Sequence, residues 1–153
     1  MRRSAVFGVV LAVVVLGAAA VSIAGARKVT EPRRIVVVEH ADTDAVTDTG
    51  VAGDTAGDLL TFANPVYNAS DTAQVGRDQG DCIRIDPKGG KWECRWITYV
   101  GGGAITVEGP FYDAKDSTMA ITGGTGEFNN ARGSMDLHAV SPTEYRFTFW
   151  IKP

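Results

Sequence analysis

Two cysteines, Cys82 and Cys94, flank a segment whose middle, Asp86-Pro87-Lys88-Gly89-Gly90, has the composition of a tight turn. A hairpin centred on Lys88 sets the two cysteines directly opposite each other, at a Cα separation that a disulfide bridges with modest strain. Two buried thiols are the alternative. The same register sets Arg84 across from Trp92, which reads as a guanidinium stacked on an indole, or as a contact for a ligand anion. A zinc centre needs more ligands than two cysteines and the scattered His40 and His138 offer, and there is no Cys-x-x-Cys spacing, so no metal is expected. Gly123-Gly124-Thr125-Gly126 lacks the Lys-Ser/Thr tail and the following helix of a phosphate loop and reads as a strand connection. Glu39, ending the run Ile35-Val36-Val37-Val38, is by residue type a solvated rim charge. Asn64, ahead of Pro65, is by default a turn residue.

The elements that position these groups follow a period of two. Trp92, Cys94, Trp96, Thr98 and Val100 fall on one strand face and Glu93, Arg95, Ile97 and Tyr99 on the other. Tyr145, Phe147, Phe149 and Ile151 alternate in the same way with Arg146, Thr148 and Trp150. Runs near 35–40, 58–63, 73–86, 91–101, 103–111, 117–122, 128–140 and 143–152 give about eight strands joined by Gly-containing turns. Eight short antiparallel strands without a helix suit an all-β closed barrel, lipocalin-like in shape, with a sandwich as the alternative. Trp92, Trp96, Phe147 and Phe149 either line its lumen or fill it. The small, polar, Gly-rich stretch from Val46 to Asp58 reads as a mobile loop that could serve as a lid. Arg77 and Arg132 are expected to brace the barrel through carboxylates such as Asp78 or Asp58, and Asn68-Ala69-Ser70 fits a glycosylation sequon.

The 153 residues hold 44% hydrophobic and 22% charged side chains, enough for one folded domain and unlike a disordered chain. Met1-Arg2-Arg3, the apolar run from Ala5 to Val21 and the small residues Ala24-Gly25-Ala26 form a secretory leader over 1–26, followed by a linker over 27–34 and a barrel domain over 35–153. The stretch from Ser4 to Ala26 is also long enough for a membrane anchor. The chain is therefore read as secreted, or anchored through residues 4–26 and facing outside. Without the leader, 13 Lys and Arg face 18 Asp and Glu, a balance that excludes nucleic acid as a partner. An exported chain meets oxidising conditions, which favour the disulfide.

Gly57-Asp58-Leu59-Leu60-Thr61-Phe62-Ala63-Asn64-Pro65-Val66-Tyr67, Val75-Gly76-Arg77-Asp78-Gln79-Gly80, Val107-Glu108-Gly109-Pro110-Phe111, and Ala120-Ile121-Thr122-Gly123-Gly124-Thr125-Gly126-Glu127-Phe128 with Ala131-Arg132-Gly133 together resemble the allene oxide cyclase and dirigent superfamily. The order and spacing hold from about Ile35 to Lys152. The resemblance implies an eight-stranded antiparallel barrel, often trimeric. Its lumen would bind a hydrophobic reactive molecule and steer its cyclisation or coupling, as a cofactor-independent isomerase or cyclase. Such catalysis rests mostly on confinement and orientation.

Residue by residue, the cyclase glutamate at the end of the first strand matches Glu39, where a carboxylate would stabilise positive charge as an epoxide opens. The asparagine that helps hold an epoxide-polarising water matches Asn64, and the lumen cysteine matches Cys82. Trp96, Phe147 and Phe149 are expected to contact the ligand. At the offsets of the other water-holding groups this chain has Ala41 and Thr47-Asp48. A non-catalytic carrier of hydrophobic ligands, a structural barrel with a filled lumen, and a barrel whose shape alone folds a polyketide-like chain for ring closure are the other readings.

Overall fold

β-branched and aromatic residues at alternate positions favour pleated strands with one apolar face, and the chain uses this pattern almost throughout. A computed structural model describes residues 31–152, so the leader, the anchor reading and residues 27–30 of the linker lie outside the described residues, while Arg33 and Arg34 of the linker belong to the first strand. Ten strands follow in order: β1 (Arg33–His40), β2 (Ala45–Thr47), β3 (Leu59–Phe62), β4 (Pro65–Asn68), β5 (Gln74–Asp86), β6 (Lys91–Val100), β7 (Gly103–Tyr112), β8 (Ser117–Gly126), β9 (Gly133–Ser141) and β10 (Glu144–Ile151). There is no helix among the described residues.

All pairings are antiparallel, and the sheet runs β5-β6-β7-β8-β9-β10-β1 before returning through β4 to β5, which closes a barrel. The ten segments make eight staves, because two staves are broken. The 13-residue β5 pairs along one edge with β4 through Gln74 to Arg77 and with β3 through Gly80 to Ile83, so β3 and β4 are two halves of one stave interrupted at Ala63-Asn64. Beside them, β1 pairs with β4 and β2 with β3, so β1 and β2 are halves of a second stave interrupted at Ala41 to Asp44. Eight strands expected and ten segments found are thus compatible. The extra segments, of three and four residues, are too short to carry a period.

The expected strand at 128–140 begins only at Gly133. Residues 128–132 instead turn inward and place buried Phe128 and Ala131 in the core, with the Arg33 guanidinium 4.9 Å from the Phe128 ring centroid. Inward positions of every stave interdigitate in a core that includes Val37, Val66, Trp96, Ile105, Val107, Met119, Met135, Phe147 and Phe149. Phe147 meets Trp96 at 5.4 Å and Phe149 at 6.4 Å between ring centroids, so both phenylalanines belong to the packed interior. Gly80 makes this packing possible: a Cβ there would strike the Arg95 carbonyl and the Trp96 side chain.

Cys82 and Cys94 are register partners, as a hairpin centred on Lys88 requires, and they form a disulfide rather than remaining buried thiols. Arg84 likewise pairs with Trp92, with the guanidinium carbon 4.4 Å from the ring centroid. A bulge between Arg84 and Asp86 absorbs the turn without shifting this register. Cutting a crosslink that spans 12 positions is expected to lower stability by about 3 kcal/mol through the entropy returned to the unfolded chain. Thermal melts with and without reductant, and of a Cys82→Ser, Cys94→Ser double variant, should both show the drop. Unchanged melting on reduction would contradict this role for the bond.

Candidate functional site

The two stave breaks are adjacent, and the polar groups of the lumen collect where they meet. Each break takes backbone groups out of the ladder between the two staves, and those groups must find other partners. Asn64 supplies partners on both sides. Its backbone N–H donates to the Asp78 carbonyl at 3.0 Å and its carbonyl accepts from the Asp78 N–H at 2.8 Å, joining the broken stave to β5. Its side-chain oxygen accepts from the Thr43 N–H and the Thr43 hydroxyl, both at 2.9 Å. Its amide nitrogen donates to Glu39 Oε1 and Asp44 Oδ1, both at 2.8 Å. Two donors and two acceptor directions exhaust the hydrogen-bonding capacity of an amide. Thr43 completes the staple by accepting from the Ala63 N–H at 2.7 Å.

This arrangement holds Glu39 in the interior, 6% exposed, where residue type alone suggested a rim charge. Burial pushes its carboxyl up to about 7, the bond from Asn64 opposing that rise and the charge of Asp44 adding to it. Asp78 is wholly buried, and neither of its oxygens has a hydrogen-bond partner among the described residues. Its carboxyl is pushed up to about 9, by burial first and then by the charge of Glu39. At neutral pH Asp78 therefore retains its proton while Glu39 sits near its midpoint, so the pair can both give and take a proton.

Glu39 and Asp44 line a lumen cavity of about 60 Å³. The Cys82–Cys94 disulfide forms part of its wall, as do Leu60, Leu137 and the rings of Phe62, Trp96, Phe111, Tyr145 and Phe147. Phe111 and Tyr145 stand edge to face at 5.9 Å and are half-buried, so this side of the cavity meets solvent. Burial, then the charges of Asp44, Glu39 and Asp113, raise the Tyr145 phenol and keep it neutral. The Trp96 indole N–H is buried without a partner among the described residues, leaving a free donor on a residue of the cavity wall.

The same barrel end is tied down by Arg84. Its guanidinium donates to both Asp54 oxygens at 2.7 and 2.6 Å and to Asp113 at 2.6 Å, while the Trp92 indole N–H donates to Asp113 at 2.8 Å. Both Asp58 oxygens accept backbone N–H bonds from Thr49 and Thr55, which hold its carboxyl below the usual range. The stretch expected as a free loop is therefore latched to β5. Its first residues form β2.

Of the residues proposed from sequence, Glu39 and Asn64 are in direct contact, and Cys82, Trp96 and Phe147 line the same cavity as Glu39. Phe149 does not line it and packs in the core against Phe147. Asp78 was read as a brace for Arg77. The two point to opposite faces of β5, and Arg77 lies over the Tyr99 ring at 4.9 Å instead. Arg132 donates to the Ala131 carbonyl rather than to a carboxylate. The signal for Asp78 was present: Asp78, Gly80, Cys82 and Arg84 share one strand face, so an inward Cys82 implies an inward Asp78. His40, which looked isolated, bonds Asp71 at 2.8 Å, and Glu144 lies close to both.

A sequence profile of the family described as allene oxide cyclase matches residues 29–153. Among solved structures the chain is similar to a pyocyanin demethylase, at 29% identity with a TM-score of 0.69, over 78% of this chain and all of that one. It is similar to the pterocarpan synthase dirigent protein GePTS1 at 19% identity and TM-score 0.63, over 76% of this chain and 82% of that one. It is also similar to AbnU, an exo-specific intermolecular Diels-Alderase, at 12% identity and TM-score 0.65, over 81% of this chain and all of that one. The last two likenesses establish the shared barrel.

Carboxyls that bind protons more tightly folded than unfolded stabilise the fold at low pH and lose that contribution as pH rises through their folded values, here about 7 and about 9. Asp54, Asp58 and Glu127, all held low, act in the opposite direction and only in acid, below this window. The melting temperature is therefore expected to fall between about pH 5 and pH 9, and Asp78→Asn, neutral at every pH, is expected to flatten that fall. A melting temperature that rises across the window, or a slope untouched by Asp78→Asn, would contradict the assignment.

Proposed function

The chain belongs to the allene oxide cyclase family, and on that premise we propose that it binds an apolar, reactive small molecule in its lumen and steers the cyclisation or coupling of that molecule as an isomerase-like enzyme. The observation that carries this reading is a buried carboxylate, Glu39, fixed by Asn64 at the wall of a cavity otherwise made of aromatic and aliphatic side chains. A carboxylate in such a place stabilises positive charge as it develops on a bound molecule, and it needs no reorganisation because Asn64 already holds it. The rings confine and orient the substrate, and confinement of a reactive molecule supplies much of the rate in reactions of this kind. Asn64 spends both amide hydrogens and both acceptor directions on the protein, so in this chain it acts through Glu39 as a positioning residue.

The cavity of about 60 Å³ accommodates several waters, and a larger guest enters by displacing the half-buried pair Phe111 and Tyr145. The reading includes export through the leader over 1–26, which the disulfide supports, and assembly as a trimer. The 29% identity to a pyocyanin demethylase favours a second reading, removal of a methyl group in the same lumen. Product mass separates the two, since cyclisation conserves the substrate mass and coupling joins two substrate masses, whereas demethylation with water and a two-electron acceptor releases the methyl carbon as formaldehyde and leaves a product lighter by one CH2 unit.

Native mass spectrometry of the exported protein, before and after exposure to apolar extracts, is expected to show retained ligand. With that ligand as substrate, Glu39→Gln should lower turnover by about 100-fold while leaving affinity nearly unchanged. A lumen that stays empty throughout would make the barrel structural. Intact turnover in Glu39→Gln would remove Glu39 from the chemistry.

A further inference from the structure

The charged side chains of the barrel are sorted by end. The starts of β1, β5, β7 and β9 meet the ends of β6, β8 and β10 at one rim, through register pairs such as Arg33 with Ile151, Gly76 with Val100 and Gly103 with Gly126. The half-buried Phe111 and Tyr145, where the cavity meets solvent, belong to the opposite end. Four of the 15 Lys and Arg precede Glu31, which leaves 11 in the barrel, and four of these, Arg33, Arg34, Arg132 and Lys152, stand exposed on the rim. Of the 18 Asp and Glu only Glu31 and Glu127 stand there, so the rest of the barrel carries 7 cations against 16 acidic groups. Glu127 is paired with Arg33 at 3.3 Å. Arg34, Arg132 and Lys152 have no carboxylate partner among the described residues. Trp150, 38% exposed, lies beside them with the Arg34 guanidinium 5.4 Å from its ring. Indoles concentrate in the headgroup layer of a bilayer, and Lys and Arg are drawn to anionic lipid. The sequence ahead of the barrel leads to the same rim: residues 27–32, which include Arg27 and Lys28, join it to the apolar run ending at Ala26 and reach at most about 20 Å.

We propose that this rim docks on an anionic phospholipid surface and turns the lumen mouth away from the bilayer, toward the medium. With the leader retained, the short link keeps the rim at the membrane; with the leader cut, charge and Trp150 hold it there. The acidic excess over the rest of the barrel disfavours any other orientation. A ten-residue strand such as β6 spans about 30 Å, several Debye lengths of about 8 Å at physiological salt, so the acidic mouth is screened from the lipid when the rim faces it. The docking is independent of what the lumen binds.

The test uses the leader-free chain starting at Arg27, since residues 31–152 close a barrel around their own core. Its binding is measured by co-sedimentation with vesicles of phosphatidylcholine alone and of phosphatidylcholine mixed with phosphatidylglycerol. A basic residue at an anionic surface strengthens binding about five-fold, so the anionic vesicles are expected to bind at least about ten-fold more tightly. That preference should vanish at about 1 M salt, where the Debye length falls to about 3 Å. It should also vanish in an Arg34→Gln, Arg132→Gln, Lys152→Gln variant and persist in a Lys88→Gln, Lys91→Gln, Lys115→Gln variant, with thermal melts showing both folded. On anionic vesicles the indole emission should shift to the blue, and Trp150→Phe should abolish the shift. Equal binding to both vesicles, or binding to neither, would overturn the docking. A preference kept by the first variant and lost by the second would overturn its assignment to this rim.

Discussion

One side-chain amide holds together the end of the barrel where two staves break. A closed eight-stave sheet gains its stability from uninterrupted ladders, yet two neighbouring staves are broken side by side at Ala41 to Asp44 and at Ala63-Asn64. Asn64 restores what the breaks remove, with two backbone bonds to Asp78 and four side-chain bonds to Thr43, Glu39 and Asp44. Because it is 1% exposed, any bond it failed to make would leave a buried polar atom unsatisfied, at about 1–3 kcal/mol each. The bonds and the burial therefore enforce one another.

The chemistry follows from that constraint. Glu39 itself stays in the ladder, paired with Tyr145 of β10 and Val66 of β4, and its parity with Val37 turns its side chain into the lumen. The neighbouring break sets the Asn64 amide against that carboxyl, in an interior where loss of water raises its proton affinity and where Asp78 is buried as well. Around this polar knot the rest of the interior is conventional. Phe147, Phe149 and Trp96 fill the centre, the Cys82–Cys94 bond fixes one wall, and the Arg84 latch holds the 48–58 stretch to β5. Glu39 alone of the two carboxyls reaches the wall of this apolar chamber, and a chamber of that kind acts on a guest by confinement and orientation.

Much of this was legible in the residues. Period-two alternation in β6 and β10, together with a turn centred on Lys88, is enough to place Cys82 opposite Cys94 and Arg84 opposite Trp92. The motif run from Ile35 to Lys152 carries the family, and the family carries Glu39 and Asn64. What escaped was short or out of character. Three residues of β2 and four of β4, which opens on a proline, leave no pattern to detect. Asp78 sits in Arg-Asp-Gln, which reads as a solvated surface, and only its parity with Cys82 reveals that it points inward. The wall contributed by Tyr145, Phe111 and Asp44 depends on which strand ends meet across the barrel, a tertiary fact that local pattern does not encode.

The central claim is that the lumen buries two carboxyls, Glu39 and Asp78, that between them keep a proton at neutral pH. Carbon-13 NMR of the Asp and Glu side-chain carboxyls, followed across the pH range in the folded protein, reads this residue by residue. The account predicts that the Asp78 carboxyl retains its protonated shift at neutral pH, titrating only near 9, while Glu39 titrates near 7. Ordinary titration of both groups near about pH 4 would contradict it.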